Sequence, residues 1–269
     1  MSVFTRVDIY NRVRGGALIA WQLSPAVRLD AEPTFTVEAS RSGVGDWEVV
    51  AVTTGYYAAI DESRWLYGKA PRLHYRVRFT TAGRTHTSPR YQIGANLDGR
   101  DAAILRDIVR KEALRFRQSG QCGFLYKRRH WGPRCTACHD YDTGSVLNSN
   151  CGSCFGTGYS GGYFPPVEFW LSQVSAGPQR RKAVADGLGV RGDRNIVVRA
   201  LCCPWIDSDD VWVDFDSDQR YYIQTVNEVN YRGSIFLFDS VELRLAAATD
   251  IIYQLERPDD GSLESEYGD

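Results

Sequence analysis

Hydrophobic and polar residues alternate in short runs along the first third of the chain. An apolar residue at every second position is the pattern of a β-strand that buries one face. Turn-forming residues separate the runs, which span 17–23, 35–40, 47–52 and 73–79. Runs of this length and spacing predict a β-sandwich over residues 1–95.

The period becomes helical between residues 96 and 120. Asp98-Gly-Arg-Asp101 provides an N-cap and an acidic first turn. Apolar residues then recur every three or four positions, at Ile104, Leu105, Ile108, Val109, Ala113 and Phe116. The opposite face is basic, with Arg106, Arg110, Lys111, Arg115 and Arg117. The pattern therefore predicts one amphipathic helix with a basic face.

Alternation returns in the last third and predicts a second β-rich domain, a barrel or a sandwich, over residues 165–255. The strand-like runs are 195–201, 210–215, 219–226, 234–238 and 241–245, and we expect 251–255 to form a final strand. The polar stretch 180–189 is expected to be an exposed loop. Residues 256–269 are strongly acidic and predict a disordered tail. The fold class expected for the whole chain is therefore mainly β.

Four cysteines form two closely spaced pairs in the segment 121–164, between the helix and the second β domain. The pairs are Cys135-x-x-Cys138 and Cys151-x-x-Cys154. Each Cys-x-x-Cys turn can direct two thiolates at one ion, and glycines beside the second pair permit positive φ near the ligands. We predict that the four sulfurs bind one structural zinc ion in a knuckle. Two disulfides, unligated thiols and an iron-bearing site are the alternatives.

Other possible ligands lie outside these pairs. His130 and His139 flank the cluster and could each replace a thiolate. Cys122, Cys202 and Cys203 are the remaining cysteines, and we expect them to be buried and unnecessary for the metal. Four thiolates close a tetrahedral shell, so the pattern favours a structural ion over a catalytic one, which would keep an open position.

Composition limits the functions that remain. The 269 residues are 43% hydrophobic and 24% charged, with a net charge of −1. No apolar stretch is long enough for a membrane helix, and the first residues lack a secretory hydrophobic region, so we expect synthesis in a cytoplasm. The sequence contains no phosphate-binding loop and no His-Glu-x-x-His motif. We therefore expect no enzymatic activity.

Charge is unevenly distributed along the chain. Residues 101–134 contain nine Lys or Arg against three acids, whereas 201–243 contain nine acids against two Arg. Opposite charges of this kind suit contacts between copies or with unlike proteins. Basic residues mixed with aromatics in Tyr126–Trp131 also permit nucleic-acid binding as an alternative.

The first domain resembles a fibronectin type III domain. Trp21 matches the buried tryptophan of an early strand, Phe35–Glu38 matches a strand that begins with an aromatic, and Tyr75–Arg78 matches the late tyrosine strand. The resemblance covers about a third of the chain. It implies a spacer or adhesive module.

A longer arrangement resembles structural proteins of tailed bacteriophages. It comprises Ile104–Glu112, Gly123–Arg129, Trp131–Cys135 and the glycine-rich Cys154–Pro166. The Cys-x-x-Cys-x-Gly-x-Gly string also resembles zinc modules of DnaJ-type co-chaperones, but those repeat the unit and this chain has it once.

The phage resemblance implies a virion protein that is made in the host cytoplasm. The expected role is a subunit of a homo-oligomeric ring in the neck, or head-to-tail connector, bound to other neck, portal or tail proteins. A baseplate position and a zinc-dependent nucleic-acid-binding protein are the alternatives.

Overall fold

The computed structural model describes residues 3–62, 73–81, 83–92, 99–140, 142–173, 183–186, 189–192, 195–231 and 235–258. The fold is mainly β: 46% of the described residues are in strands and 9% are in the helix. This confirms the fold class expected from the alternating pattern.

The described residues of the first part of the chain form eight strands in two antiparallel sheets. The strands are β1 (Phe4–Asn11), β2 (Ala17–Leu23), β3 (Thr34–Ser40), β4 (Glu48–Thr54), β5 (Ala58–Asp61), β6 (His74–Thr81), β7 (Arg84–Thr87) and β8 (Tyr91–Gln92). One sheet has the order β1-β2-β5. The other has the order β4-β3-β6-β7, and β8 also pairs with β6.

The two sheets pack face to face through aromatic side chains. Trp21 of β2 lies 4.9 Å, centroid to centroid, from Phe35 of β3, and Phe4 of β1 lies 5.7 Å from Phe79 of β6. Trp21 and Phe35 are fully buried. The predicted runs correspond to β2, β3, β4 and β6. Sequence reasoning missed β1, whose outward positions include the ion pair Arg6–Asp8.

The predicted helix is present as α1 (Gly99–Ser119). Asp98, the predicted N-cap, lies outside the described residues. Val109, Ala113 and Phe116 are buried, and Phe116 packs in a cluster with Val13, Trp170 and Leu201. The helix ends where the Gly120 amide donates to the Phe116 carbonyl at 2.7 Å.

The last part of the chain closes into a six-stranded antiparallel barrel with the order β10-β13-β16-β15-β14-β9. Its strands are β9 (Gln121–Tyr126), β10 (Val167–Gln173), β13 (Asn195–Leu201), β14 (Val211–Asp214), β15 (Arg220–Tyr231) and β16 (Ile235–Leu245). Closure leaves no unpaired sheet edge in the barrel. Between the two predicted alternatives, the structure therefore selects the barrel.

Two expectations for this part need correction. The predicted loop 180–189 contains β11 (Ala183–Asp186), which pairs with β12 (Gly189–Gly192) as a hairpin. Its other residues lie outside the described part of the chain. The predicted last strand is a 3-10 helix, Ile251–Gln254. Its Ile252 is fully buried and packs against the outer face of β9 and β14. A single helical turn is therefore enough to bury the apolar residues of this segment, and no strand forms.

The boundaries of the cysteine segment and the tail also differ from the prediction. Residues 121–126 form β9 of the barrel and are not part of a knuckle. Glu256 and Arg257 contact the barrel, since the Tyr126 hydroxyl donates to the Glu256 carbonyl at 2.6 Å. Residues 259–269 lie outside the described part.

Candidate metal centre

The cysteine lobe, residues 127–166, is inserted between the neighbouring barrel strands β9 and β10. These strands pair with Leu125 opposite Val167. The pairing continues into the lobe as isolated bridges between Arg128 and Tyr163 and between Arg134 and Tyr159. The two halves of the lobe therefore leave the barrel side by side.

Two tight turns bring the cysteines together. In the first, the His139 amide donates to the Cys135 carbonyl at 3.2 Å. In the second, the Phe155 amide donates to the Cys151 carbonyl at 2.8 Å. The Cys135 amide donates to the Gly158 carbonyl at 3.0 Å and joins the two turns. Each Cys-x-x-Cys pair thus forms the kind of turn that the spacing predicts.

The backbone conformation requires glycine at position 156 and does not require it at position 152. Gly156 has φ +75°, and a Cβ atom there would lie 2.5 Å from the Ser149 carbonyl oxygen. Phe155 before it also has positive φ, at 51°. Gly152 is not among the residues with positive φ. The left-handed backbone therefore follows Cys154, and the expectation was wrong for the glycine after Cys151.

The four sulfurs form one compact cluster. The Sγ atoms of Cys135, Cys138, Cys151 and Cys154 all lie within 4.8 Å of one another. Cys135 Sγ lies 4.0 Å from Cys151 Sγ, and Cys138 Sγ lies 3.1 Å from Cys154 Sγ. Ligands at 2.3 Å around a tetrahedral ion would be about 3.8 Å apart. The four buried cysteines are therefore compatible with a metal site.

The same distances argue against the disulfide alternative. A disulfide bond is about 2.05 Å long, well below the shorter of the two sulfur separations. All four cysteines are free thiols. They also form a buried cluster that contains no other residue. A bound cation would stabilise thiols that have so little apolar packing around them.

The backbone and burial affect the thiols differently. The Ser153 amide donates to Cys151 and lowers the pKa of that thiol to about 7. Burial raises the pKa of Cys154, and a hydrogen bond with Cys154 raises the pKa of Cys138. A bound cation favours the thiolate form and offsets the cost of holding anionic sulfurs together.

Neither flanking histidine belongs to the four-sulfur cluster. His130 lies with Nε2 3.9 Å from an Asp207 carboxylate oxygen, and burial lowers its pKa. His139 pairs through its backbone with Val146 at the edge of the lobe. Among the described residues, the four cysteines alone form a group of metal-ligand type.

The remaining cysteines lie away from the lobe. Cys122 is half-buried on β9, 3.9 Å from an Arg14 nitrogen, and burial raises its pKa to about 12. Cys202 and Cys203 are buried, as expected. They follow the end of β13 in a bend before the cis bond to Pro204.

Sequence reasoning missed a buried charge network at the base of the lobe. Lys127 is 1% exposed, and its Nζ donates to Asp207 at 2.7 Å, to Asp210 at 3.0 Å and to the Trp205 carbonyl at 3.0 Å. Asp210 is fully buried, and burial raises its pKa. No local pattern links Lys127 to acids that lie some eighty positions later, so only the fold reveals the pairing.

This network corrects the interpretation of the charge asymmetry. Part of the basic stretch pairs with part of the acidic stretch inside one chain, through Lys127 and through Arg128, whose guanidinium lies 2.6 Å from Asp209. Arg129 is buried and pairs with Glu32 of the sandwich at 2.5 Å. The segment 126–131 is therefore largely an internal joint. Among the described residues of the basic stretch, those that remain exposed are Arg110, Lys111 and Arg117 on α1 and Arg134 in the lobe.

Aromatic side chains connect the lobe to both β domains. Trp131 lies 5.5 Å from Phe35 of the sandwich and 4.5 Å from Phe164 at the other end of the lobe. Phe164 lies 5.3 Å from Tyr57, which lies 6.1 Å from Trp205 beside the barrel. All five are buried. The base of the lobe thus fills the junction between sandwich and barrel.

Comparison of the chain with protein-family models, with curated proteins and with solved structures finds no match. Within the described residues, no helix combines the length and apolar character that crossing a membrane requires. Support for a function therefore comes from the site and from the sequence patterns described above.

Proposed function

We propose that this chain is a non-enzymatic structural subunit of a tailed-bacteriophage virion, a neck or head-to-tail connector ring subunit with a structural zinc ion. The proposal that the chain is not an enzyme rests on the compact cluster of four buried sulfurs in the lobe between the two β domains. Four thiolates leave no coordination position for substrate or water. The phage assignment comes from the sequence resemblance.

Zinc is the ion that the donor set favours. Soft thiolates in a tetrahedral arrangement suit zinc or iron, and four-sulfur shells are typical of structural zinc sites. Elemental analysis of protein purified without chelator tests this directly. We expect one zinc per chain; stoichiometric iron, or no metal, would overturn the assignment.

The geometry of the lobe supports a mechanical role for the ion. Its sulfur cluster is separate from the main core, whereas Trp131 and Phe164 at its base belong to that core. Zinc would fix the outer part of the lobe relative to the junction between sandwich and barrel. A subunit whose domains keep a constant angle is suited to repeated packing in a ring.

The sandwich supports the fibronectin-like part of the proposal. Its sheets have three and four strands along their main paths, β1-β2-β5 and β4-β3-β6-β7, and Trp21 is buried between them. Antiparallel sheets of this size, packed through a buried tryptophan, are typical of immunoglobulin-like sandwiches. Such a domain would act as a spacer or a contact surface for neck, portal or tail proteins.

The exposed charges that remain after internal pairing support contact between copies. Arg110 on α1 is exposed, as are Asp216 and Glu228 on the barrel. Pairing of α1 on one copy with the barrel of the next would account for charges that the fold itself does not use. Such contacts should weaken as salt screens them.

Proteomics of purified virions tests the structural role. We expect the polypeptide in particles of the phage that encodes it, at a copy number that matches a ring. If infected cells contain it and purified particles do not, the structural role is wrong. Presence in isolated baseplates and absence from necks would move it to the baseplate alternative.

Sedimentation separates assembly from nucleic-acid binding. We expect oligomers in moderate salt that dissociate in high salt, with no change when DNA is added. The variant Arg110→Glu should reduce oligomerisation, and Thr85→Glu, on β7 of the sandwich, is the matched control. Co-sedimentation with DNA that Arg110→Glu abolishes would favour the nucleic-acid alternative.

A further inference from the structure

A cavity of about 900 Å³ opens at one end of the barrel. Its lining comes from the first halves of β9, β13 and β15, the ends of β10 and β16, and β14 with the two residues that follow it. These segments meet at the same end because neighbouring strands are antiparallel. We call this region the barrel mouth. Its volume lies in the range of ligand-binding pockets.

The barrel mouth combines aromatic rings with guanidinium groups. The rings belong to Trp170, Trp212, Phe215 and Tyr221, and the guanidinium groups to Arg14, Arg115 and Arg117. One carboxylate, that of Asp216, lies in the lining. The surface therefore favours a ligand that carries several negative charges and some apolar or aromatic area.

Two of the arginines are available to such a ligand. Arg14 pairs with Glu168, with Nε 3.3 Å from the carboxylate oxygen. Arg115 and Arg117, near the end of α1, have no carboxylate within ion-pair distance among the residues that the structure describes. Two neighbouring cations beside an aromatic cavity are an uncompensated positive site.

The described chain ends beside this site. Arg257 donates from Nη2 to the Phe215 carbonyl at 2.7 Å, and its guanidinium lies 5.0 Å from the Phe215 ring centroid. Phe215 lines the barrel mouth. Residues 259–269 follow within two positions, and an extended segment of that length reaches on the order of 35 Å.

That segment has the composition that the barrel mouth requires. It contains Leu263, Tyr267, five acids and no basic residue, the acids being Asp259, Asp260, Glu264, Glu266 and Asp269. We propose that the barrel mouth is a binding site for an acidic peptide and that its occupant is residues 259–269 of the same chain. The inference is independent of whether the chain is a virion subunit.

Proximity selects the chain's own segment over that of a second copy. A segment tethered by a short linker reaches an effective concentration of about 1 mM at its site. Protein at micromolar concentration cannot compete with a tethered ligand of the same sequence. The intramolecular contact therefore prevails unless partners concentrate the chain.

A competition experiment with the full chain tests the proposal. The probe is a fluorescent peptide of residues 259–269, and the proteins are the unmodified chain and a full-length variant with all five acids changed to Asn or Gln. We expect the neutralised variant to bind the peptide at least tenfold more tightly, because its own segment no longer competes. Equal affinity for both proteins would overturn the proposal.

Charge variants on α1 identify the site. In the neutralised background, Arg115→Glu with Arg117→Glu should reduce peptide affinity at least tenfold. Arg41→Glu with Arg84→Glu, both exposed on the sandwich and outside the cavity lining, is the matched control. If the first pair unfolds the protein by circular dichroism, the single exposed change Arg117→Gln replaces it. An equal loss in the control pair would place binding elsewhere and contradict the proposal.

Two further measurements test whether a second copy of the chain or a nucleic acid occupies the barrel mouth instead. If neutralising the acids breaks an oligomer in sedimentation while the monomer still binds the peptide, the segment acts between copies and the intramolecular proposal is wrong. If a single-stranded oligonucleotide binds the unmodified chain, and Arg115→Glu with Arg117→Glu abolishes that binding, the mouth is a nucleic-acid site. We expect neither result.

Discussion

The barrel and the cysteine lobe are consecutive parts of one chain that are stabilised in opposite ways. The barrel buries aliphatic and aromatic side chains in a core that continues into the sandwich. The outer lobe, residues 133–160, buries little besides the four sulfurs and several hydrogen-bonded turns. The first arrangement stabilises itself by removing apolar area from water, whereas the second, on our proposal, depends on a bound ion. Order in the two regions should therefore respond to different perturbations.

Removing the metal should give the largest effect and confine it to the lobe. Structural zinc contributes on the order of 10 to 16 kcal/mol of binding free energy in small metal-dependent folds. With chelator and reductant present, we expect amides between Cys135 and Thr157 to lose hydrogen-exchange protection while those of β15 and β16 keep it. Adding zinc back should restore the protection. Equal loss in the barrel would show that the two regions are not independent.

The buried charge network at the base should give the next largest effect and act on the barrel. Lys127→Met leaves Asp210 as an uncompensated buried carboxylate and should cost about 3 to 5 kcal/mol of unfolding free energy. Urea titration followed by tryptophan fluorescence measures this. The exposed Lys111→Met is the control and should leave stability close to that of the unmodified chain. If Lys127→Met lowers the zinc content and leaves the urea midpoint unchanged, the network stabilises the lobe and not the barrel, and the contrast between the two regions is wrong.

A glycine inside the barrel tests its packing. A Cβ atom at Gly123 would lie 2.4 Å from the Val213 carbonyl oxygen and 2.5 Å from the Trp212 ring. Gly123→Ala should therefore destabilise the barrel by about 1 to 3 kcal/mol with unchanged metal content. Gly45→Ala, where a Cβ atom meets nothing within 4 Å, is the matched control. A neutral Gly123→Ala would mean that the strands separate more easily than the close contact implies.

The smallest effect is expected at the cysteines outside the lobe. Cys202→Ala should leave one metal ion per chain and lower stability by about 1 kcal/mol, because it removes only a small buried group. Elemental analysis checks the metal, with Cys154→Ala as the variant that should lose it. Loss of metal in Cys202→Ala would show that the ligand set is wrong.

The sequence allowed much of the fold to be predicted where burial follows a regular period. Alternation located β2, β3 and β6, and the helical period located α1 to within a few residues. It failed at Ile251–Gln254, because a short apolar run does not distinguish a strand from a single helical turn packed on a barrel. The alternating pattern also failed to reveal β9, because its apolar residues are followed at once by the basic residues of the lobe.

The candidate site was predictable for a different reason. The Cys-x-x-Cys spacing is local, so the two turns could be inferred without knowing the fold. The Lys127 network could not be inferred, since its partners come from a loop between β13 and β14. A stretch of basic and aromatic residues looks the same in sequence whether it faces solvent or fills a junction between domains.

The continuous pairing from β9 and β10 into the lobe makes the lobe an exchangeable module. The Phe164 amide donates to the Lys127 carbonyl at 2.9 Å and the Arg129 amide donates to the Gly162 carbonyl at 3.0 Å, so the chain enters and leaves the lobe through a narrow hydrogen-bonded stem. Insertions of very different length can be joined across so narrow a stem, because loop closure cost grows only slowly with length. Related chains could therefore carry a shorter turn or a different metal-binding loop at this point and keep the same barrel.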